Sequence, residues 1–328
     1  MRKIFAVAVL AALSLGACAR NGNNGITGKL IQVPEDFPTI TMALRNANDG
    51  DVVEITRSGT YNEASGEQFP LLVRDGVTLR KGWTRSVTID MDSPNQVPTL
   101  EVGSNVTIIG IYFTCTSAMA VAQKQGGTDV AFLHCGFWVK QVALLFNGFT
   151  RLRLEGNAFY CLASSGLRRA LTLWGVLDAN IENNTFSGFD KNVLVEASTN
   201  VNFERNLVVN ATGAGLEVDD ASLPTMTFSE NCFWGNKEGM WNKSVMVPFF
   251  PATGGNISAD PLFIDRENPA EIHEGSRCIL SNGGVIGAYG AVKLGAKPQV
   301  RKLPNSPNAL IPGASIPVMY AALSNTGT

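Results

Sequence analysis

The side chains in this chain best suited to chemistry are three carboxylates, Glu196, Asp219 and Asp220, which end short apolar runs. Four such runs, Val142–Phe146, Ala170–Trp174, Asn192–Glu196 and Gly215–Asp219, can be laid over one another. Their last places then form a row of Phe146, Trp174, Glu196 and Asp219, with Asp220 in the turn just beyond. Lys140, Arg168, Arg169 and Lys191 fall at the other edge of the same runs. An aromatic platform, a basic edge and carboxylates together suit a neutral or acidic sugar chain. Trp174 and Phe146 offer faces to stack on a ring, and the four cations can hold a uronate. The carboxylates can bind Ca²⁺ or act as acid and base. The expected catalytic set is therefore Glu196, Asp219 and Asp220. The competing reading is an ordinary solvated surface beside turns.

Two further rows emerge from the alignment. Glu155, Glu182 and Glu204 recur at one place, and three stacked like charges repel unless screened, protonated or bridged. A cation such as Ca²⁺ would bridge them and make this the expected metal set; the neighbouring Arg153 and Arg205 are the simpler answer. Trp138, Tyr160 and Trp234 recur at another place, as a sugar-stacking strip or as packing beneath long loops. With two His in the whole chain, a His/Cys zinc site is not expected. Neither a nucleotide-binding glycine loop nor a metalloprotease motif occurs.

Such rows require elements that repeat. Val106-Thr-Ile-Ile-Gly-Ile-Tyr-Phe113 is followed by similar octets starting at Val130, Leu152, Ala179, Val201 and Met226, spaced 24, 22, 27, 22 and 25 residues apart. Apolar residues hold the first, third and eighth places. Alternation over the first four places is a short strand with one buried face. The sixth-place residues Asn157, Asn184, Asn206 and Asn231 mark a bend, because Asn tolerates left-handed backbone, and stacked Asn can hydrogen-bond up the column. With the Phe of the eighth place opening a second strand and the runs above forming a third, each period makes one coil of a solenoid. The fold expected is all-β: a single-stranded right-handed parallel β-helix with a short N-terminal capping helix, Thr41 to Ala47.

The bulk agrees. There are 33 Gly, and a net charge of −2 gives no basic surface for nucleic acid. Besides Cys18 there are five cysteines, an odd number with no CxxC, read as core filler or as one or more disulfides. Arg2 and Lys3 precede an apolar run, Ile4 to Leu15, too short to span a membrane as a helix. Leu15-Gly16-Ala17-Cys18 resembles the bacterial lipobox. That resemblance implies cleavage before Cys18, diacylation of its thiol, anchoring of the chain to the extracytoplasmic cell envelope (the outer membrane in a Gram-negative cell), and residues 18–29 as a tether.

Val33 through Tyr61-Asn62-Glu63, Phe69-Pro70-Leu71 and Ile89-Asp90 is similar to the N-terminal domain of unknown function of secreted bacterial β-helix proteins in the pectin-lyase-like superfamily. Asp260–Phe263 and Ile286–Gly290 resemble the segments that close such helices. The resemblance covers residues 30–291, with 292–328 as a Pro/Asn/Ser-rich tail. It implies substrate along the strand that follows the Phe-containing one, and it is weak for activity because that family mixes lyases, hydrolases, epimerases and proteins of no known reaction. The Gly-His-Gly and Arg-Ile-Lys strings of the polygalacturonase subgroup are absent; Asp219-Asp220 resembles its aspartate pair, but adjacent Asp are common in turns. The function expected is a lipid-anchored, monomeric β-helix that binds, and as lyase or hydrolase processes, a polysaccharide. The alternative is a non-catalytic structural or adhesive surface protein.

Overall fold

A computed structural model describes residues 28–292, apart from 92–97, 116–118, 124–125, 163–167, 264–271, 274 and 289–290. The signal and lipobox, with Cys18, and the tail beyond Val292 lie outside the described residues.

Each coil passes through three strands, and equivalent strands of successive coils pair in parallel. One coil reads Thr128–Leu133, Gly136–Val139 and Val142–Asn147; the next reads Thr150–Glu155, Ala158–Cys161 and Arg169–Trp174. Three sheets of nine, eight and nine strands result, called here the first, second and third in the order the chain meets them. The chain is a right-handed parallel β-helix. The expected capping helix spans Ile40–Asn46, and Thr39 caps it by accepting from the Met42 N–H at 3.1 Å. The buried Glu67 carboxylate accepts from the Ile40 and Thr41 amides at 2.9 and 2.8 Å, tying the cap to the first coils.

The first place of the octet forms one inward file. Val130, Leu152, Ala179 and Val201 are in register, and with Val106 and Met226 all are buried. The eighth place stacks aromatic rings. Phe113, Phe137, Phe159 and Phe186 lie 5.2, 4.7 and 4.8 Å apart, within 10° of parallel, because parallel strands themselves repeat at about 4.8 Å.

The sixth-place Asn form a ladder: each Nδ2 and backbone N–H donates to the Oδ1 of the next, from Asn157 through Asn184, Asn206 and Asn231 to Asn256. The left-handed bend itself falls one place earlier than the sequence suggests. Gly110, His134, Gly156, Asn183, Arg205 and Glu230 all have φ between 50° and 70°. Since only Gly and Asn take that conformation cheaply, the ladder holds three less suitable backbones, His134, Arg205 and Glu230, in shape.

After the last full coil the chain turns back outside. Beyond Phe263, the described residues Ile272, Cys278 and Ile286 lie against Leu207, Val209 and Cys232 of the second sheet. Gly287 donates to the Arg205 carbonyl at 2.8 Å, and Ala288 to Thr185 Oγ1 at 2.9 Å. At Gly287, φ is 104° and a Cβ would sit 2.8 Å from Thr185 Oγ1, so glycine is required there. The segments expected to close the helix thus cover its side.

Candidate functional site

The third sheet carries the proposed site. Its inward residues are Leu144, Leu171, Val193 and Leu216, then Phe146, Leu173, Val195 and Val218. The outward residues between them include Thr172, Leu194 and Glu217. Phe146 is therefore corrected: it is fully buried, in register with Leu173, and Asn147 occupies the place beside Trp174. The misplacement has a local cause. Val142 is in register with Arg169 rather than Ala170, so the apolar run that starts at Val142 begins one residue ahead of its neighbour and its last place falls one short.

The rest of the row stands together. Trp174 pairs in register with Glu196, and Asp219 follows through its N–H to the Val195 carbonyl. Trp174 is 56% exposed. Glu196 is ion-paired with Lys243, two coils further on, a partner the sequence reading missed because the octet fades after Met226. Asp219 Oδ2 accepts from the Ala197 N–H at 2.8 Å and Oδ1 from the Ser222 N–H at 2.9 Å. Burial pushes the Asp219 carboxyl up, but the Ser222 and Ala197 hydrogen bonds and the Lys243 charge outweigh it and hold the group below its ordinary value. Asp220 is exposed at the turn and accepts from Asn242 Nδ2 at 2.8 Å.

The basic edge divides. Arg169 and Lys191 are register neighbours, and Lys191 pairs with the buried Glu217 at 2.6 Å. Glu217 is a second residue that sequence reading passed over, hidden inside an apolar run. Arg168 is buried and reaches Thr212 Oγ1 at 2.8 Å, while Lys140 is exposed. Two buried polar atoms at this edge, Arg169 Nε and Thr172 Oγ1, have no hydrogen-bond partner among the described residues. Buried polar atoms ordinarily are satisfied, so such gaps ask for a cause.

Glu155, Glu182 and Glu204 do stack in register on the first sheet. Arginine meets them: Arg153 pairs with Glu155, and Arg205 pairs with Glu182 and, at 2.5 Å, with Glu204. Among the described residues no group of three or more His, Cys, Asp and Glu gathers in a way that could hold a metal ion. The expected metal set is thus a row of ion pairs rather than a converging cage. A groove of about 690 Å³ runs beside it, lined by Arg151, Arg153, Asp178, Asn180 and Asn202 among others. Asp129 there is held below its ordinary value by hydrogen bonds from Arg151 at 2.6 and 2.5 Å.

Trp138 and Tyr160 lie in register 5.6 Å apart, both buried, and pack with Tyr112, Leu162 and Ala288 beneath the returning segment. Of that third row only Trp234 is exposed.

Fold and register define the class as a right-handed parallel β-helix, and the family comparison agrees. The right-handed β-helix region family matches residues 90–245. Among solved structures, a mutant of an alginate lyase of polysaccharide lyase family 6 aligns over 71% of this chain and 39% of its own, at 15% identity and a TM-score of 0.39. The chain thus spans well under half the length of that enzyme, and the likeness concerns the fold alone. No curated protein matches the sequence.

Proposed function

We propose that this chain is a lipid-anchored extracytoplasmic β-helix that binds polysaccharide along the outer face of its third sheet. The observation that carries the binding reading is one arrangement: the exposed Trp174 in register with Glu196, on a strand that begins at Arg169 beside Lys191. The indole offers an apolar face for a sugar ring to stack on, with charged groups at both ends of the strand to hold its polar substituents. Lys191 beside Arg169 favours a chain carrying carboxylates. The anchor rests on the lipobox at Leu15–Cys18, and mass analysis of the N-terminal peptide from membrane fractions tests it.

A glycan array with the purified protein tests the binding. Binding to uronate polymers, weakened about tenfold or more by Trp174→Ala and by Arg169→Gln, is the expected result, since a lost charge-assisted contact costs about 1.5–3 kcal/mol. No binding to any glycan, or binding indifferent to both changes, removes the proposal.

Processing of the bound chain is a further step of the same proposal, with Glu196, Asp219 and Asp220 as its acid and base candidates. Incubation with uronate polymers would give unsaturated products from a lyase or new reducing ends from a hydrolase. Activity unchanged in the Glu196→Gln, Asp219→Asn double variant would exclude these carboxylates. One observation favours the non-catalytic alternative: Glu196, Asp219 and Asp220 are each engaged by a partner inside the fold. Ca²⁺ enters only as a candidate ligand of the glutamate row.

A further inference from the structure

Of the five cysteines in the folded body, two belong to one buried cluster although 46 positions separate them. Cys232 lies in the last strand of the second sheet, Cys232–Trp234, and Cys278 in the segment that returns over the outside of that sheet. Both are fully buried in that cluster, and their thiols interact with each other. Backbone contacts fix both ends of this meeting. Cys232 forms a bridge with Ile257 and its thiol donates to the Ala259 carbonyl at 3.3 Å, while the Cys278 carbonyl accepts from the Ile286 N–H at 2.9 Å.

Cys115 and Cys161 flank Val139 in register, so two strand spacings, about 9.6 Å, separate their Cα atoms. That exceeds the roughly 7 Å a disulfide can span. Cys135 is turned toward the Ile108 and Leu133 carbonyls, at 3.6 and 3.5 Å.

We propose that Cys232 and Cys278 are the disulfide-forming pair of this protein, and that their bond fastens the returning segment to the last coil. The oxidant is another disulfide, of the kind an oxidising compartment or a glutathione buffer supplies. The Cys278 thiol loses its proton, and its thiolate attacks that disulfide, forming a mixed disulfide and expelling one thiolate. The Cys232 thiol loses its proton in turn and attacks the Cys278 sulfur, closing the bond and expelling the second thiolate. Two protein thiols are oxidised by two electrons in all, one small disulfide is reduced to two thiols, and the two protons end on those leaving groups. The order follows from the environment. The neighbouring Cys232 thiol, acting against burial, holds Cys278 below the usual thiol range, while the Cys278 thiol together with burial drives Cys232 above it. Because a tether of this length removes much freedom from the unfolded chain, the bond also stabilises.

The experiment uses the full chain, reduced in denaturant and refolded in a glutathione redox buffer. It is then blocked with N-ethylmaleimide in denaturant and digested without reduction. Mass spectrometry is expected to find the Cys232 and Cys278 peptides joined and lighter than their sum by two hydrogens, with maleimide on Cys115, Cys135 and Cys161. Reduction of the refolded protein is expected to lower Tm by about 5 °C or more, an effect absent from the Cys232→Ala, Cys278→Ala double variant. Maleimide on Cys232 or Cys278, or either one joined to a different cysteine, overturns the proposal. The mapping on the wild-type chain decides the pairing even where a variant fails to fold.

Discussion

Trp138 and Trp174 both point out from the coil, one on the second sheet and one on the third, yet they are 4% and 56% exposed. The difference lies in what the chain does after its last turn. Beyond Phe263 the described residues Ile272, Cys278 and Ile286 lie against the second sheet, and Ala288 packs on the Trp138 cluster. The outward face there is accordingly small or apolar, with Ala158, Leu207, Val209 and Cys232 all buried. On the third sheet the outward face holds Thr172, Glu217 and Lys191, with Trp174 and Glu196 at the strand ends. An outward aromatic therefore has no single meaning in a solenoid: beneath a covering segment it is core, and at an exposed strand end it is available to a ligand.

The comparison breaks most readily at the two tryptophans. Trp138→Ala is expected to destabilise by about 3–5 kcal/mol, as for a core aromatic. Trp174→Ala should change stability by no more than about 0.5 kcal/mol. Denaturant unfolding of both measures this, and similar losses would mean that Trp174 also packs as core.

Arg205 is the next test, because its carbonyl receives the Gly287 N–H while its guanidinium serves the glutamate row. Arg205→Gln should cost about 1 kcal/mol, more at low salt. It should also make Tm rise with added Ca²⁺, whereas the wild type with its glutamates already paired should respond weakly.

The pH dependence at the third-sheet turn is smaller. Asp219 has its pKa lowered on folding, so it binds fewer protons folded than unfolded at moderately acid pH. Its contribution is fully present above the ordinary value of 3.8 and is lost as pH falls below it through the folded value. Asp219→Asn should therefore flatten the fall in stability at the acid end and leave the slope near neutrality unchanged.

The smallest effect is expected from Thr172→Val. It removes a buried hydroxyl with no described partner, so stability should hold or rise slightly, within about 1 kcal/mol. Glycan binding should nevertheless fall. A loss of stability instead would show that the hydroxyl serves the fold.

The coil was legible in the sequence because each file repeats one physical demand. Apolar residues recur at Val130, Leu152, Ala179 and Val201, ring stacks at Phe113 through Phe186, and the amides at Asn157 through Asn231. The site was less legible. Phase slipped at Val142, which is in register with Arg169 rather than Ala170, and that carried Phe146 into the wrong row. Lys243 lies where the octet has dissolved, so no spacing pointed to it, and Glu217 looked like an interruption in an apolar run. The return of the chain over the second sheet follows from a long-range docking of Ile272, Cys278 and Ile286 that no local period encodes, which left Trp138 and Tyr160 ambiguous.

From Val106 onward the coils differ in length by up to five residues, 22 against 27, yet the pairing from Leu152 to Ala179 to Val201 keeps step. The 27-residue coil has its extra length between Cys161 and Arg169, immediately before the strand that ends in Trp174. Length at that corner is thus decoupled from the fit of the interior. Selection, or a protein engineer, can exchange the stretch there for another and reshape what meets a ligand, while the column behind it goes on folding as before.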